Sequence, residues 1–251
     1  MRDLGRVSVA SGPGLAGALA GLAALLAVLA ATIGLGTPAA ALGLACGVGL
    51  AGALRHGLAA SGTARLGPAD LVTLTRAALA CGIAALVADA YLRHPAVPTL
   101  VTLTVVALVL DAVDGRVARQ SGTASAFGAR FDGEADAFLI LVLSVYIARE
   151  AGAWVLAIGT VRYVFGAAGW LWPWMGCTLP FRDWRKVVTA VQGIVLCVAA
   201  ADVLPDGVRD LALVVALALL AESFGRDVVW LWLRRAHARE RPAESTEARL
   251  P

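Results

Sequence analysis

The sequence predicts an all-α fold: a polytopic membrane helical bundle with a six-helix core preceded by an N-terminal transmembrane hairpin. Three observations point there. Of 251 residues, 59% are hydrophobic and only 16% charged, and the mean hydropathy is +0.78. Soluble domains carry about 25% charged residues. A soluble fold of this length cannot hide so much apolar surface, so lipid must solvate much of it. The apolar runs are continuous and show no period-two alternation, which selects helices over a β-barrel. Lys and Arg also gather in alternate loops, as the rule for helix orientation in membranes requires.

A spanning helix needs about 20 mostly apolar residues. On that basis the expected spans are 14–33, 39–54, 71–91, 98–119, 126–148, 153–172, 184–201 and 208–233. The first two contain no ionisable residue and form an accessory hairpin within an N-terminal segment 1–66. The second is short and rich in glycine. The core is expected over 67–235. The remainder, 236–251, is polar and charged and reads as a disordered cytoplasmic tail. No internal repeat is visible.

With the N-terminus in the cytoplasm, that side receives Arg2, Arg6, Arg55, Arg65, Arg116, Arg119, Arg130, Arg182, Arg185 and Lys186, followed by Arg234, Arg235, Arg239, Arg241 and Arg249. The opposite side keeps Arg93, Arg149 and Arg209. An even number of spans returns both termini to the same side, so this topology is self-consistent. It puts a multi-pass protein in the cytoplasmic membrane. A rival reading of the N-terminus is a cleaved signal peptide: Arg2 and Arg6, an apolar run, then Thr37-Pro-Ala-Ala-Ala. That apolar run is longer than the usual 7–15 residues.

Several residue types carry no assigned chemistry. Cys46, Cys81, Cys177 and Cys197 are far apart, without CxxC pairing, and read as small buried hydrophobes. His56, His94 and His237 are isolated. Trp170, Trp172, Trp174 and Trp184 flank helix ends as an interfacial belt. Arg226 and Asp227 read as an ion pair within the last helix. The net charge of +3 is small, and no nucleic-acid partner is expected.

The chemistry concentrates between residues 110 and 136. Asp111 and Asp114 are three apart and share a helix face, which Gly115, Ala118 and Arg119 continue. On the returning helix, Gly128, Asp132 and Asp136 form a second stripe. A short turn joins the two helices, so the stripes are expected to meet. Four converging carboxylates repel one another and resist desolvation. Hard divalent cations such as Mg²⁺ and Mn²⁺ remove that repulsion. Four carboxylates suit two ions about 3.5–4 Å apart, the arrangement that clamps an in-line phosphoryl displacement. Gly115, Ala118 and Gly128 clear space for a diphosphate, and Arg119 and Arg116 can neutralise it. Glu134 falls off the stripe and is expected to be solvated or paired.

These residues read D-x2-D-G-x2-A-R-x8-G-x3-D-x3-D, filled by Asp111, Asp114, Gly115, Ala118, Arg119, Gly128, Asp132 and Asp136. The pattern resembles the signature of the CDP-alcohol phosphatidyltransferases, and the likeness covers roughly 67–233 as the six-helix catalytic core. The resemblance implies that Asp111, Asp114, Asp132 and Asp136 bind two ions, Mg²⁺ or Mn²⁺. It implies that Asp136 is the general base for the acceptor hydroxyl. Gly115, Arg119 and Ser125 would contact the CDP group. Asp70, Thr73 and Arg76 resemble the family's Asn-x2-Thr-x2-Arg element, with Asp in place of Asn, and so add Thr73 and Arg76 to the CDP contacts. The implied donor is a CDP-diacylglycerol-type lipid, the implied assembly a homodimer, and the implied site opens to the cytoplasm.

The acceptor is less legible. Members of the family that make phosphatidylglycerophosphate or cardiolipin often carry Ala-Asp-Lys at the last aspartate, whereas this chain has Ala135-Asp136-Ala137. Arg162 lies within a span, where an ionisable residue is a functional candidate by default. Arg182, Arg185 and Lys186 cluster at the start of the next helix, and Lys186-x2-Thr189-x2-Gln192 resembles a further element of the family. Together they could hold a small alcohol or polyol-phosphate acceptor. Arg182 and Arg185 read equally as anchors facing anionic lipid. Two rival functions stand beside the transferase: a divalent-cation transporter using the carboxylates as its path, and a catalytically silent scaffold. No signature position is lost, which disfavours the scaffold.

Overall fold

In the computed structural model the backbone is described for residues 13–61, 68–121, 126–172, 174–175 and 183–239. The fold is helical throughout these residues. Eight helices follow in order: α1 Pro13–Ile33, α2 Thr37–Ser61, α3 Pro68–Ala90, α4 Val97–Ser121, α5 Ala126–Ala151, α6 Leu156–Leu171, α7 Asp183–Ala200 and α8 Asp206–Arg239. Proline occupies the first or second position of α1, α2, α3 and α4, where its missing N–H would have no intrahelical partner in any case.

Among the described residues, four helices are by themselves long and apolar enough to cross a membrane: Gly14–Ile33, Thr37–Ala59, Asp70–Ala90 and Ala153–Leu171, with a shorter apolar stretch at Val97–Val113. Eight spans were expected. The difference has a simple source. Helices α4, α5 and α7 bring charged residues into a terminal turn or two, and α8 carries Glu222, Arg226 and Asp227 along its length, so their uninterrupted apolar stretches are shorter. Two helices outrun their expected ends. Helix α2 spans Thr37–Ser61 rather than 39–54. Helix α8 continues to Arg239, into the first residues of the segment 236–251; beyond it that segment lies outside the described residues.

Helix α3 is the hub. It packs on α1, α2, α4 and α5, and Ala77, Ala80, Cys81, Ile83, Ala84, Ala85, Leu86 and Val87 are all buried. A helix apolar all round belongs in the interior. Its many alanines let four neighbours approach. The N-terminal hairpin is fastened to the far end of this hub. The α1–α2 turn passes through Gly34 at φ +71°, a left-handed conformation that glycine adopts without a Cβ penalty. The Gly36 N–H donates to Asp89 Oδ1 at 3.0 Å, and Arg93 Nη1 donates to the Gly34 carbonyl at 2.7 Å. At the same end of the bundle, Arg209 on α8 is buried among Asp206 (3.0 Å), Asp210 (3.1 Å) and Glu150 of α5 (3.8 Å).

Helix α5 turns into α6 at Gly152, at φ +100°, and the two then pack closely. A Cβ at Gly159 would lie 2.7 Å from the Leu141 Cα, a backbone atom that cannot step aside. Gly159→Ala is therefore expected to force α6 off α5 and cost about 1–3 kcal/mol, read as a lower midpoint of thermal unfolding in detergent. An unchanged midpoint would contradict this packing.

Cys46, Cys81 and Cys197 are free thiols in buried or half-buried positions, as expected; Cys177 lies outside the described residues. Trp170, Trp172 and Trp184 are exposed near the facing ends of α6 and α7.

Candidate active site

Three helices build the site. Asp111 sits on α4, Asp132 and Asp136 one turn apart on α5, and Arg76 on α3. The three carboxylates each offer an oxygen, and these oxygens lie within 4.8 Å of one another. The Arg76 guanidinium stands among them. Its Nη1 is 2.9 Å from Asp111 Oδ1 and also bonds Asp132 Oδ1, while Nη2 bonds Asp136 Oδ1. Arg76 is only 4% exposed, whereas Asp111 and Asp132 remain about one-third open. One face of the cluster is thus sealed by protein and the other is accessible.

One expectation changes here. The acidic stripes of α4 and α5 were expected to face each other directly. Instead α3 packs far more extensively on each of them than they do on one another, and its arginine bridges the stripes. Arg76 was also expected among the CDP contacts. In this structure its guanidinium is the counter-charge and clamp of the three carboxylates. A signal was present in the sequence: an arginine in an otherwise apolar span needs an acidic partner. Thr73, one turn earlier on α3, is buried on the same side.

The remaining signature positions are partly outside view. Helix α4 is regular through Asp114, Gly115 and Arg119, but the side chains of 114–121 lie outside the described residues, as do Ser125 and Arg182. Gly128 falls in the first turn of α5, half-buried.

The donor set suits a divalent ion. Convergent carboxylate oxygens are the ligands that Mg²⁺ and Mn²⁺ favour, and Asp111, Asp132 and Asp136 supply one each from two helices.

On another side of α5 lies a cavity of about 470 Å³, walled by residues of α5, α6, α7 and α8 including Glu134, Arg162, Arg185 and Asp227. The expected acceptor residues are therefore partly brought together. Their charge, however, is not free. Arg162 Nη2 donates to Glu134 Oε1 at 2.7 Å, and Arg185 Nη1 lies 3.6 Å from the buried Asp227. Glu134 is the paired residue that its position off the stripe allowed. The expected Arg226–Asp227 pair does not form. Arg226 reaches back to Glu222 at 2.8 Å, because successive helical residues point apart while residues four apart are neighbours.

Lys186 is exposed on α7. The element that follows it is structural in this arrangement. Thr189 donates to the Arg185 carbonyl at 3.0 Å, and the fully buried Gln192 donates from Nε2 to the Ala216 carbonyl of α8 at 2.8 Å. The Gln192 bond ties α7 to α8, the wall that carries Arg185 and Asp227.

A sequence profile of the CDP-alcohol phosphatidyltransferases matches residues 67–224, from the start of α3 well into α8. Two CDP-diacylglycerol–serine O-phosphatidyltransferases, from strains 26695 and J99 of Helicobacter pylori, are 37% and 40% identical to this chain over 70 residues. In both, the matched stretch covers 26% of this chain and 30% of the relative. No solved structure matches.

Proposed function

The chain belongs to the CDP-alcohol phosphatidyltransferase family, and from that premise we propose that it is a membrane transferase of phospholipid biosynthesis. It moves a phosphoalcohol group from a CDP-linked lipid such as CDP-diacylglycerol to an acceptor hydroxyl, with release of CMP. The observation that carries this reading is the convergence of Asp111 of α4 with Asp132 and Asp136 of α5, with one face open.

Asp136 takes the proton of the acceptor hydroxyl. The acceptor oxygen forms a bond to the β-phosphorus of the donor, the anhydride bond to the α-phosphate breaks, and CMP departs with that electron pair. Such chemistry is mainly positioning and charge stabilisation. Asp111, Asp114, Asp132 and Asp136 would hold two ions, Mg²⁺ or Mn²⁺, which when bound polarise phosphate oxygens and offset developing negative charge. Arg76 orients Asp132 and Asp136 through its two-nitrogen fork. Gly115, Arg119, Ser125, Thr73 and Arg76 are assigned to the CDP group, and Arg162, Arg182, Arg185 and Lys186 to the acceptor side. The protein is placed in the cytoplasmic membrane as a homodimer with its site facing the cytoplasm, in keeping with the arginine-rich loops on that side.

A divalent-cation transporter would need carboxylates along a path through the bilayer, whereas these gather at one edge. One experiment separates the two. Purified protein given CDP-diacylglycerol and candidate acceptor alcohols is expected to release CMP, to stop on chelation with EDTA, and to resume when Mg²⁺ or Mn²⁺ is restored. CMP release that continues undiminished in EDTA would remove the metal assignment. No release under any condition would remove the transferase.

A further inference from the structure

Among the described residues, the apolar interior divides into two clusters. The larger runs through the bundle and takes in the turn end of the N-terminal hairpin, where Leu26 and Leu29 of α1 are buried. The smaller lies at the other end of the hairpin. There Leu54 and Leu58 of α2, 3% and 2% exposed, pack with Leu74 and Ala77 of α3 and with Phe131 and Ala135 of α5. Ala51, Leu54 and Leu58 fall at i, i+3 and i+7 and so form one stripe along α2, while Arg55 and His56 are exposed. Leu58 belongs to the last turns of α2, beyond the apolar span expected from the sequence.

We propose that Leu54 and Leu58 are positioning residues of the active site: they wedge α3 against α5 and hold Arg76, Asp132 and Asp136 at the separation that a divalent ion requires. The inference rests on the transferase and metal reading above. Each of the four residues packed with them stands beside a site residue in sequence. Leu74 follows Thr73, Ala77 follows Arg76, Phe131 precedes Asp132 and Ala135 precedes Asp136. Neighbours along a helix are turned by about 100°, so the cluster grips the flanks of α3 and α5 without entering the ring of carboxylates. The hairpin lies outside residues 67–224, the stretch that matches the family profile. Part of the site is thus set by an element from beyond the family domain.

The clamp is sensitive to the separation of these helices. Arg76 reaches from α3 to Asp132 and Asp136 on α5, and α3 also packs on α4, which carries Asp111. A shift of α5 against α3 therefore moves two carboxylates relative to both the guanidinium and the third carboxylate, whose oxygens now lie within 4.8 Å of one another. Ala77 and Ala135 offer little bulk at this level, so Leu54, Leu58 and Phe131 fill the space where α2, α3 and α5 meet. Cutting one of these leucines to alanine leaves a void into which the neighbours relax in part. Mg²⁺ demands near-ideal octahedral geometry, and a misplacement of about 1 Å is enough to impair a reacting centre.

The test measures Mn²⁺ binding to the full-length protein in detergent, by electron paramagnetic resonance of the free ion, alongside CMP release. Leu58→Ala is compared with Leu29→Ala, a buried leucine of the same hairpin that belongs to the larger cluster. Both are expected to lower the midpoint of thermal unfolding. Only Leu58→Ala is expected to weaken Mn²⁺ binding, by about tenfold, the low end of what losing the support of a metal ligand costs. The kcat for CMP release should fall with it, and Leu58→Met, which keeps the volume, should recover both. If Leu58→Ala does not fold, Leu58→Val carries the same expectation with a smaller loss. Unchanged Mn²⁺ affinity in the folded Leu58 variant, or an equal loss in Leu29→Ala, overturns the proposal and leaves the hairpin as a plain anchor, with the transferase standing. A wild type that binds Mn²⁺ but releases no CMP with any acceptor alcohol removes the transferase instead, and the Mn²⁺ comparison still decides the wedge.

Discussion

Asp136→Asn is expected to slow CMP release by about 10²–10⁴-fold, the range that a positioned general base contributes, while the affinity for CDP-diacylglycerol changes little. The substitution keeps the shape of the side chain and its capacity to accept a bond from Arg76 Nη2. It removes the ability to take a proton. Because Asp136 is also assigned to the ions, a slower rate alone does not identify the base. The rate should therefore be followed across a Mg²⁺ titration. A defect in metal binding recovers at high Mg²⁺, whereas loss of the base persists at saturation. Full recovery at high Mg²⁺ would leave Asp136 as a ligand and move the base elsewhere.

Much of this site is legible in the sequence because it is written in helical periodicity. Spacings of three and four place Asp111, Asp132 and Asp136 on stripes without knowledge of the fold, and the apolar lengths give eight helices, six of them within three residues of their observed bounds. What periodicity cannot supply is which third element fills the gap between two stripes. Arg76 lies thirty-five residues before Asp111 in an apolar run, and only the packing of α3 against both α4 and α5 brings it to Asp132 and Asp136. The same limit explains Asp227. Adjacency in sequence suggested Arg226, but the two side chains diverge around the helix, and the partner of Asp227 comes from α7. Glu134 shows the converse. Its position off the acidic stripe excluded it from the cluster, and that displacement is what carries it to the cavity and Arg162. The charge of the cavity lining therefore followed from tertiary pairing, whereas counting arginines along the chain overstated it.

Removal of Arg76 should have the largest effect on stability. Arg76→Ala leaves Asp111, Asp132 and Asp136 facing one another without their shared counter-charge. Breaking a buried ion pair by deleting one partner costs about 3–5 kcal/mol. The lower end applies here, because the carboxylates keep partial access to water. The unfolding midpoint of Arg76→Ala in EDTA should fall well below that of the wild type. Divalent ions compete with the guanidinium for the same carboxylate oxygens, so Mg²⁺ should stabilise Arg76→Ala by more than it stabilises the parent. Ligand that binds only the folded state raises stability in proportion to its affinity, and deleting a resident cation raises that affinity. Arg76→Lys separates charge from geometry: a single ammonium neutralises the cluster but cannot hold Asp132 and Asp136 with two nitrogens at once. It should recover most of the lost stability and little of the activity. Equal midpoints for Arg76→Ala and wild type in EDTA would show that this arginine is not the counter-charge on which the cluster depends.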